Sequence, residues 1–229
     1  MLNTFLSLGQ FTYAMHIAEG FLPQIWAFIW TLAFIPFFLW SVIVLKRKFK
    51  EDSSNKLHFA LMAAFAFTLS SLKIPSIVGS CSHPTGMGLG AILLGPLPMV
   101  AIGTIVLVMQ ALLIAHGGIT TLGANAFSMA VIGPFVSFGV YQLLKKLNLS
   151  SKISVFFAAT LGSLSTYFIT SFQFGVAFAE GDIIMSTMKF LGIFMLAQLP
   201  ISIAEGLLTV VVYNLLGQTI QFSKLSGGE

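Results

Sequence analysis

The sequence predicts an all-α integral membrane protein, a bundle of about seven transmembrane helices with its amino terminus outside and its carboxyl terminus in the cytoplasm. Three observations carry that reading. The chain of 229 residues is 57% hydrophobic and only 8% charged, with a mean hydropathy of +0.96, whereas soluble domains carry about a quarter charged residues. Its apolar residues gather in runs of the length a bilayer requires, about 20 residues for a helical span. Its basic residues sit in short clusters beside those runs, the bias that orients membrane helices. The net charge of +4 therefore reflects orientation in a membrane, and nucleic acid is not an expected partner. The single cysteine, Cys81, excludes an intramolecular disulfide and any two-cysteine metal motif.

The first span is Gln24 to Leu45, ending in Lys46-Arg47-Lys48-Phe49-Lys50-Glu51-Asp52, the most charged stretch and a cytoplasmic loop by its basic residues. A second runs from about Leu57 to Leu72. Pro75, Gly79, Pro84, Gly86, Gly88 and Gly90 then exclude a regular helix throughout that region. Met87 to Ala115 reads either as one long crossing or as two broken at Gly95-Pro96-Leu97-Pro98. Charge parity decides: two crossings put Lys145, Lys146 and Lys152, beyond the span Thr121 to Leu144, on the cytoplasmic side. The first of the pair, about Met87 to Gly95, is short and requires protein around its ends. Ile153 to Val176 leads to the acidic loop Glu180-Gly181-Asp182, placed outside. The last span, Thr187 to Leu216, contains Pro200 and is too long to cross upright and unkinked. Residues 15–217 are expected to form one transmembrane domain and 218–229 a cytoplasmic tail.

Residues 1–14 are too short to span and lack a basic start. Cleavage after Ala14, or a start codon placed upstream of the true one, makes Met15 the mature amino terminus. A free amine there has a chemical consequence. The Met15 α-amino nitrogen, the deprotonated His16 amide and the His16 Nδ1 close two fused chelate rings around one metal, and a fourth nitrogen completes a square. Square nitrogen coordination suits Cu(II) or Ni(II), with Co(II) close in affinity, while calcium and magnesium want oxygen. His83, in Ser80-Cys81-Ser82-His83-Pro84-Thr85-Gly86, lies on the same outer side. Pro84 restricts its backbone and Gly86 allows a sharp turn. Each histidine alone reads more readily as a structural or interfacial residue; the two together on one side favour ligation.

Met15-His16-Ile17-Ala18-Glu19-Gly20-Phe21-Leu22-Pro23, Ser70-Ser71-Leu72-Lys73-Ile74-Pro75 and Gly79-Ser80-Cys81-Ser82-His83-Pro84-Thr85-Gly86 closely resemble the substrate-capture components of energy-coupling factor transporters for cobalt and nickel, the CbiM and NikM proteins. The resemblance covers Met15 to about Gly217. It implies a seven-helix bundle carrying Co(II) or Ni(II) as transported substrate, with the metal held by Met15, His16 and His83. The implied partners are two cytoplasmic ATPase subunits, a transmembrane coupling subunit and often a small accessory membrane subunit, within membrane lipid. In this sequence Met15 is internal, so the amine ligand requires processing.

His116, in Ala115-His116-Gly117-Gly118-Ile119-Thr120-Thr121-Leu122-Gly123-Ala124-Asn125, resembles a further family motif; it either supports the ligand histidines by hydrogen bonding or stabilises its loop. Glu19 either bonds a ligand or favours a helix amino terminus, and Thr85 is a further candidate to support the metal ligands by hydrogen bonding. Glu205, the acid deep in a span, is costly there and so implies a role; Gln198, seven residues earlier on the same face, is its expected partner. Cys81 and Met87 read as structural, and His58 as interfacial. No Gly-Lys-Ser/Thr phosphate loop occurs, so a transport subunit driven by partners is expected rather than an ATPase. An intramembrane metalloenzyme would need an open coordination position and a base, and His16-x-x-Glu19 lacks a second nearby histidine. A lone channel or secondary carrier is the third reading.

Overall fold

The structure, a computed structural model, describes residues 16–72, 74–75, 81–179 and 181–225. Met15, residues 1–14 and the Cys81 side chain lie outside what it describes. Seven helices follow in order: α1 (Gln24–Glu51), α2 (Asn55–Ser71), α3 (Met87–Leu94), α4 (Pro96–Leu113), α5 (Leu122–Lys146), α6 (Ser151–Phe178) and α7 (Ile183–Leu225). Between α2 and α3, β1 (Ile74–Pro75) pairs antiparallel with β2 (Cys81–Ser82), Ile74 opposite Ser82.

Local chemistry sets the helix ends. Pro23, at φ −53°, precedes α1, a residue with no N–H to leave unsatisfied. Gly95, at φ +92°, separates α3 from α4, and Pro96 opens α4 where a missing N–H costs nothing; the two-helix reading of Met87 to Ala115 is the one observed. The Ser150 hydroxyl caps α6 by accepting from Ile153 N–H at 3.4 Å. Asp182 Oδ1 caps α7 by accepting from Ile184 N–H at 2.8 Å and Met185 N–H at 3.1 Å. Within α5, Ala126–Ile132 is a π-helical turn, and the Gly133 N–H reaches back five residues to the Ser128 carbonyl. Pro134 follows directly and has no N–H to offer the preceding turn, which the wider winding accommodates.

Helices α1, α4, α5, α6 and the Ile183–Leu216 part of α7 are long and apolar enough to cross a membrane. Their outward residues are greasy: Ile25, Ile43, Leu112, Ile184 and Leu196 are each more than 60% exposed, a surface that lipid covers. Helix α2, of 17 residues, is about 26 Å long, and α3, of eight, only about 12 Å. Protein encloses α3, as such a short helix requires. Met87 to Ala91 are buried, and a methyl group on Gly88 would lie 2.8 Å from Ala159 Cα of α6, so the backbones meet closely where lipid gives no hydrophobic drive. Helix α7, with 43 residues, is about 65 Å long and continues past the expected span end at Leu216.

Two apolar clusters fill the bundle. The larger joins α2, α3, α4 and α5 through Met62, Ala66, Met87, Met99, Ile102 and Met129, and confirms Met87 as core. The smaller, Ile17, Leu22, Ala27, Ala124 and Phe174, fixes the segment before α1 against the start of α5 and the end of α6. Helices α1 and α5 thus begin at one end of the bundle. Their other ends carry Lys46, Lys48 and Lys50, and Lys145 and Lys146, so the basic clusters gather at the opposite end.

Candidate metal site

Three segments distant in sequence bring His16, His83 and His116 together. One ligand atom from each lies within 4.8 Å of the others, and the rings stand 4.8, 4.8 and 5.0 Å apart between centroids. All three are buried, at 6%, 0% and 1% exposure. Burial disfavours charged imidazolium rings in mutual contact, whereas neutral imidazoles are ligands for cobalt, nickel, copper and zinc. Nitrogens bound to one divalent ion at about 2.1 Å lie at most about 4.2 Å apart, so the rings close onto an ion with movements of under about an ångström.

His16 is placed through its neighbour. Ile17 N–H donates to Asn125 Oδ1 at 2.8 Å, and the Ile17 carbonyl accepts from Asn125 Nδ2 at 3.0 Å and from Thr121 Oγ1 at 2.6 Å. The side chain of Asn125 pairs with Ile17 as a neighbouring strand would. Thr121 and Asn125, four apart, share one helix face, and Gln173 Nε2 fixes the next carbonyl of that helix, Ala124 O, at 3.0 Å.

His83 sits on a turn held from α6 and α7. Its Nδ1 lies 3.0 Å from the Pro84 carbonyl, which only accepts, so Nδ1 carries the proton and the lone pair is on Nε2. Tyr167 Oη donates to the His83 carbonyl at 3.2 Å. Gly86, at φ +69°, could not be replaced without conflict, because a Cβ would lie 2.8 Å from Ala66 Cα.

His116 was expected to support the other two; the structure places its ring level with them. Its backbone N–H donates to Gln110 O at 3.0 Å, and Ala115 at φ +48° and Gly117 at φ +82° flank it. A non-glycine residue in the left-handed region is strained and tends to mark functional geometry. Glu19 meets the same loop, its Oε2 accepting from Thr120 N–H at 3.1 Å. The side-chain and backbone hydrogen bonds of Thr120 hold the Glu19 carboxyl below the usual carboxylate range against slight desolvation.

The expected Glu205–Gln198 pair does not form. Gln198 donates to Ser163 and Ser202 at 3.2 and 3.1 Å, because its helical register turns it toward α6. Glu205 instead accepts from Thr85 and Gly86 in the His83 turn. Thr85 is thus tied to Glu205 through both its N–H and its hydroxyl. Tyr167 was not singled out from sequence, its only signal a hydroxyl in an otherwise apolar run; Thr121 and Asn125 stand in the motif around His116, where sequence alone assigns them no role.

Fold and cluster together define a multi-pass helical membrane protein with a histidine site buried among its helices. The chain belongs to the CbiM family, its residues 16–221 matching the cobalt uptake substrate-specific transmembrane region. A cobalt transport protein CbiM of Clostridioides difficile is 54% identical over 94% of this chain and 87% of its own length; one from Listeria seeligeri is 55% identical over 94% and 89%. Among solved structures, a transition metal transporter superimposes with a TM-score of 0.80 at 28% identity, covering 93% of this chain and 100% of that one. A truncated transition metal transporter gives 0.79 at 30% identity, covering 89% and 99%. The family is one of transport proteins.

Proposed function

We propose that this chain is the metal-binding subunit of an ATP-driven energy-coupling factor importer. It captures Co(II), or alternatively Ni(II) by the same mechanism, from the outer side and passes it toward the cytoplasm. The observation that carries the proposal is the buried cluster of His16, His83 and His116 in a chain of a cobalt-uptake family. The ligands are the Met15 amine once freed, the His16 amide and imidazole, and the His83 imidazole. Neutral nitrogen donors favour these metals over calcium and magnesium, which are far more abundant. Burial strips the ion of water, and the protein nitrogens replace its hydration shell. Two ATPase subunits, a transmembrane coupling subunit and a small accessory membrane subunit supply the energy and the route.

His116 supports the imidazoles in this reading. Its position within the same 4.8 Å favours a second one, in which it ligates directly. Co(II) titration of the membrane-extracted chain separates the two: His116→Ala weakens binding about 10–100-fold if it supports and abolishes it if it ligates. His83→Ala abolishes binding in either case while leaving a folded, extractable chain; retained Co(II) and Ni(II) affinity in that variant refutes the proposal. Uptake that persists after deletion of the ATPase partners refutes the energy coupling.

A further inference from the structure

Glu205 lies in the middle of α7 and is 2% exposed. An acid buried in a transmembrane bundle is costly and requires close partners. The Ser163 hydroxyl of α6 is one; the others belong to the turn that carries His83. Oε2 accepts from Thr85 N–H at 2.8 Å. Oε1 accepts from the Thr85 hydroxyl at 2.8 Å and from Gly86 N–H at 2.8 Å. The Thr85 hydroxyl in turn accepts from Met87 N–H at 3.3 Å.

Three donors of the turn converging on two oxygens suit a carboxylate, which only accepts; an amide would bring one acceptor and a donor facing other donors. Gly86, the residue before α3, has no side chain of its own to bond with, and Glu205 takes up its N–H and that of Thr85 from 119 and 120 residues away in sequence. Tyr167 of α6 holds the other side of the turn at the His83 carbonyl. From His83 to Gly86 the backbone is therefore tied to α6 and α7, with Gly86 fixed at φ +69° against Ala66.

We propose that Glu205 is a positioning residue for metal capture, setting the angle at which His83 enters the site by anchoring the Pro84-Thr85-Gly86 turn to α7. This rests on the reading that His83 is a ligand. It makes α7 a structural partner of the site, so the helix and the metal cannot move independently. A carboxylate serving folding alone would leave the metal affinity and spectrum of the folded protein unchanged. One that positions His83 alters both.

Co(II) titration of the full chain, followed by its visible absorption, tests this with Glu205→Gln, Thr85→Val, Thr85→Ser and His83→Ala. Glu205→Gln is expected to weaken Co(II) binding about 10–100-fold, the usual cost of losing a group that orients a ligand, and to shift the absorption of the remaining complex. Thr85→Val, which removes one charge-assisted hydrogen bond, is expected to weaken binding about tenfold; Thr85→Ser, which keeps the hydroxyl, stays within about twofold. Wild-type affinity and spectrum in a folded Glu205→Gln chain, with His83→Ala unable to bind, overturns the role of Glu205 alone. If Glu205→Gln does not fold, equal affinities for Thr85→Val and Thr85→Ser overturn it. Unchanged binding in His83→Ala overturns the ligand reading itself, and the role of Glu205 with it.

Discussion

Asn125 illustrates how much of the site depends on residues that touch no metal. Its side-chain amide satisfies both the N–H and the carbonyl of Ile17, next to His16, inside a region closed to water. Asn125→Ala leaves the buried Ile17 N–H without its partner, at about 1–3 kcal/mol, leaves the Ile17 carbonyl with Thr121 alone, and loosens the His16 segment. We expect a lower melting temperature and Co(II) affinity reduced about 10–100-fold; unchanged affinity in calorimetric titration would show that His16 is held by other means. Glu19 makes the weaker link between the same segment and the His116 loop. Its folded pKa is lowered, so its contribution is present above the ordinary carboxylate range and is lost as pH falls through the lower folded value. At an exposed position that contribution is no more than about 1 kcal/mol. Melting curves of wild type and Glu19→Gln should therefore differ slightly at neutral pH and converge in strong acid; a difference that grows on acidification contradicts this. His16 and His83 were legible as donors because each sits in a distinctive motif. The pairing of Asn125 with Ile17, 108 residues apart, has no local signature and depends on the folded bundle.

At the scale of elements, the turn before α3 and the turn before α1 make a contrast. Gly20 and Gly86 both sit at φ +69°, but a Cβ on Gly20 would meet nothing within 4 Å, whereas one on Gly86 would strike Ala66. Gly20→Ala should cost about 1–2 kcal/mol, the left-handed penalty alone, and leave Co(II) binding within about twofold. Gly86→Ala adds the collision, displaces the His83 turn and should reduce affinity at least tenfold. Equal effects of the two substitutions on binding would mean that close packing of this turn does not define the site. The two-helix division at Gly95-Pro96 was legible from charge parity, because the later lysines need an even crossing. The π-helical turn at Ala126–Ile132 was not, although Pro134 explains it afterwards: several helical windings fit an apolar run around a proline, and packing against α4 and α6 chooses among them.

Across the whole molecule, seven helices were legible because lipid imposes a simple rule on composition, and apolar length with basic flanks reports it. How far each helix extends was less so. Helix α7 runs beyond its apolar stretch to Leu225, since helix propensity and backbone hydrogen bonding do not stop where the membrane does. The helix glycines divide by position. Gly88, Gly103 and Gly175 press on neighbouring helices within the bundle, while Gly139 and Gly192 have nothing within 4 Å. The bundle thus closes upon its own small residues around a histidine cluster that no single segment contains. Capture of cobalt by nitrogen ligands from two distant histidine segments is the central claim, and X-ray absorption spectroscopy of the Co(II)-loaded, membrane-extracted chain tests it most directly. Four-nitrogen capture predicts a first shell of nitrogen donors with imidazole scattering, lost in His83→Ala. A shell of oxygens, or of sulfur from Cys81, or one unchanged in His83→Ala, would contradict it.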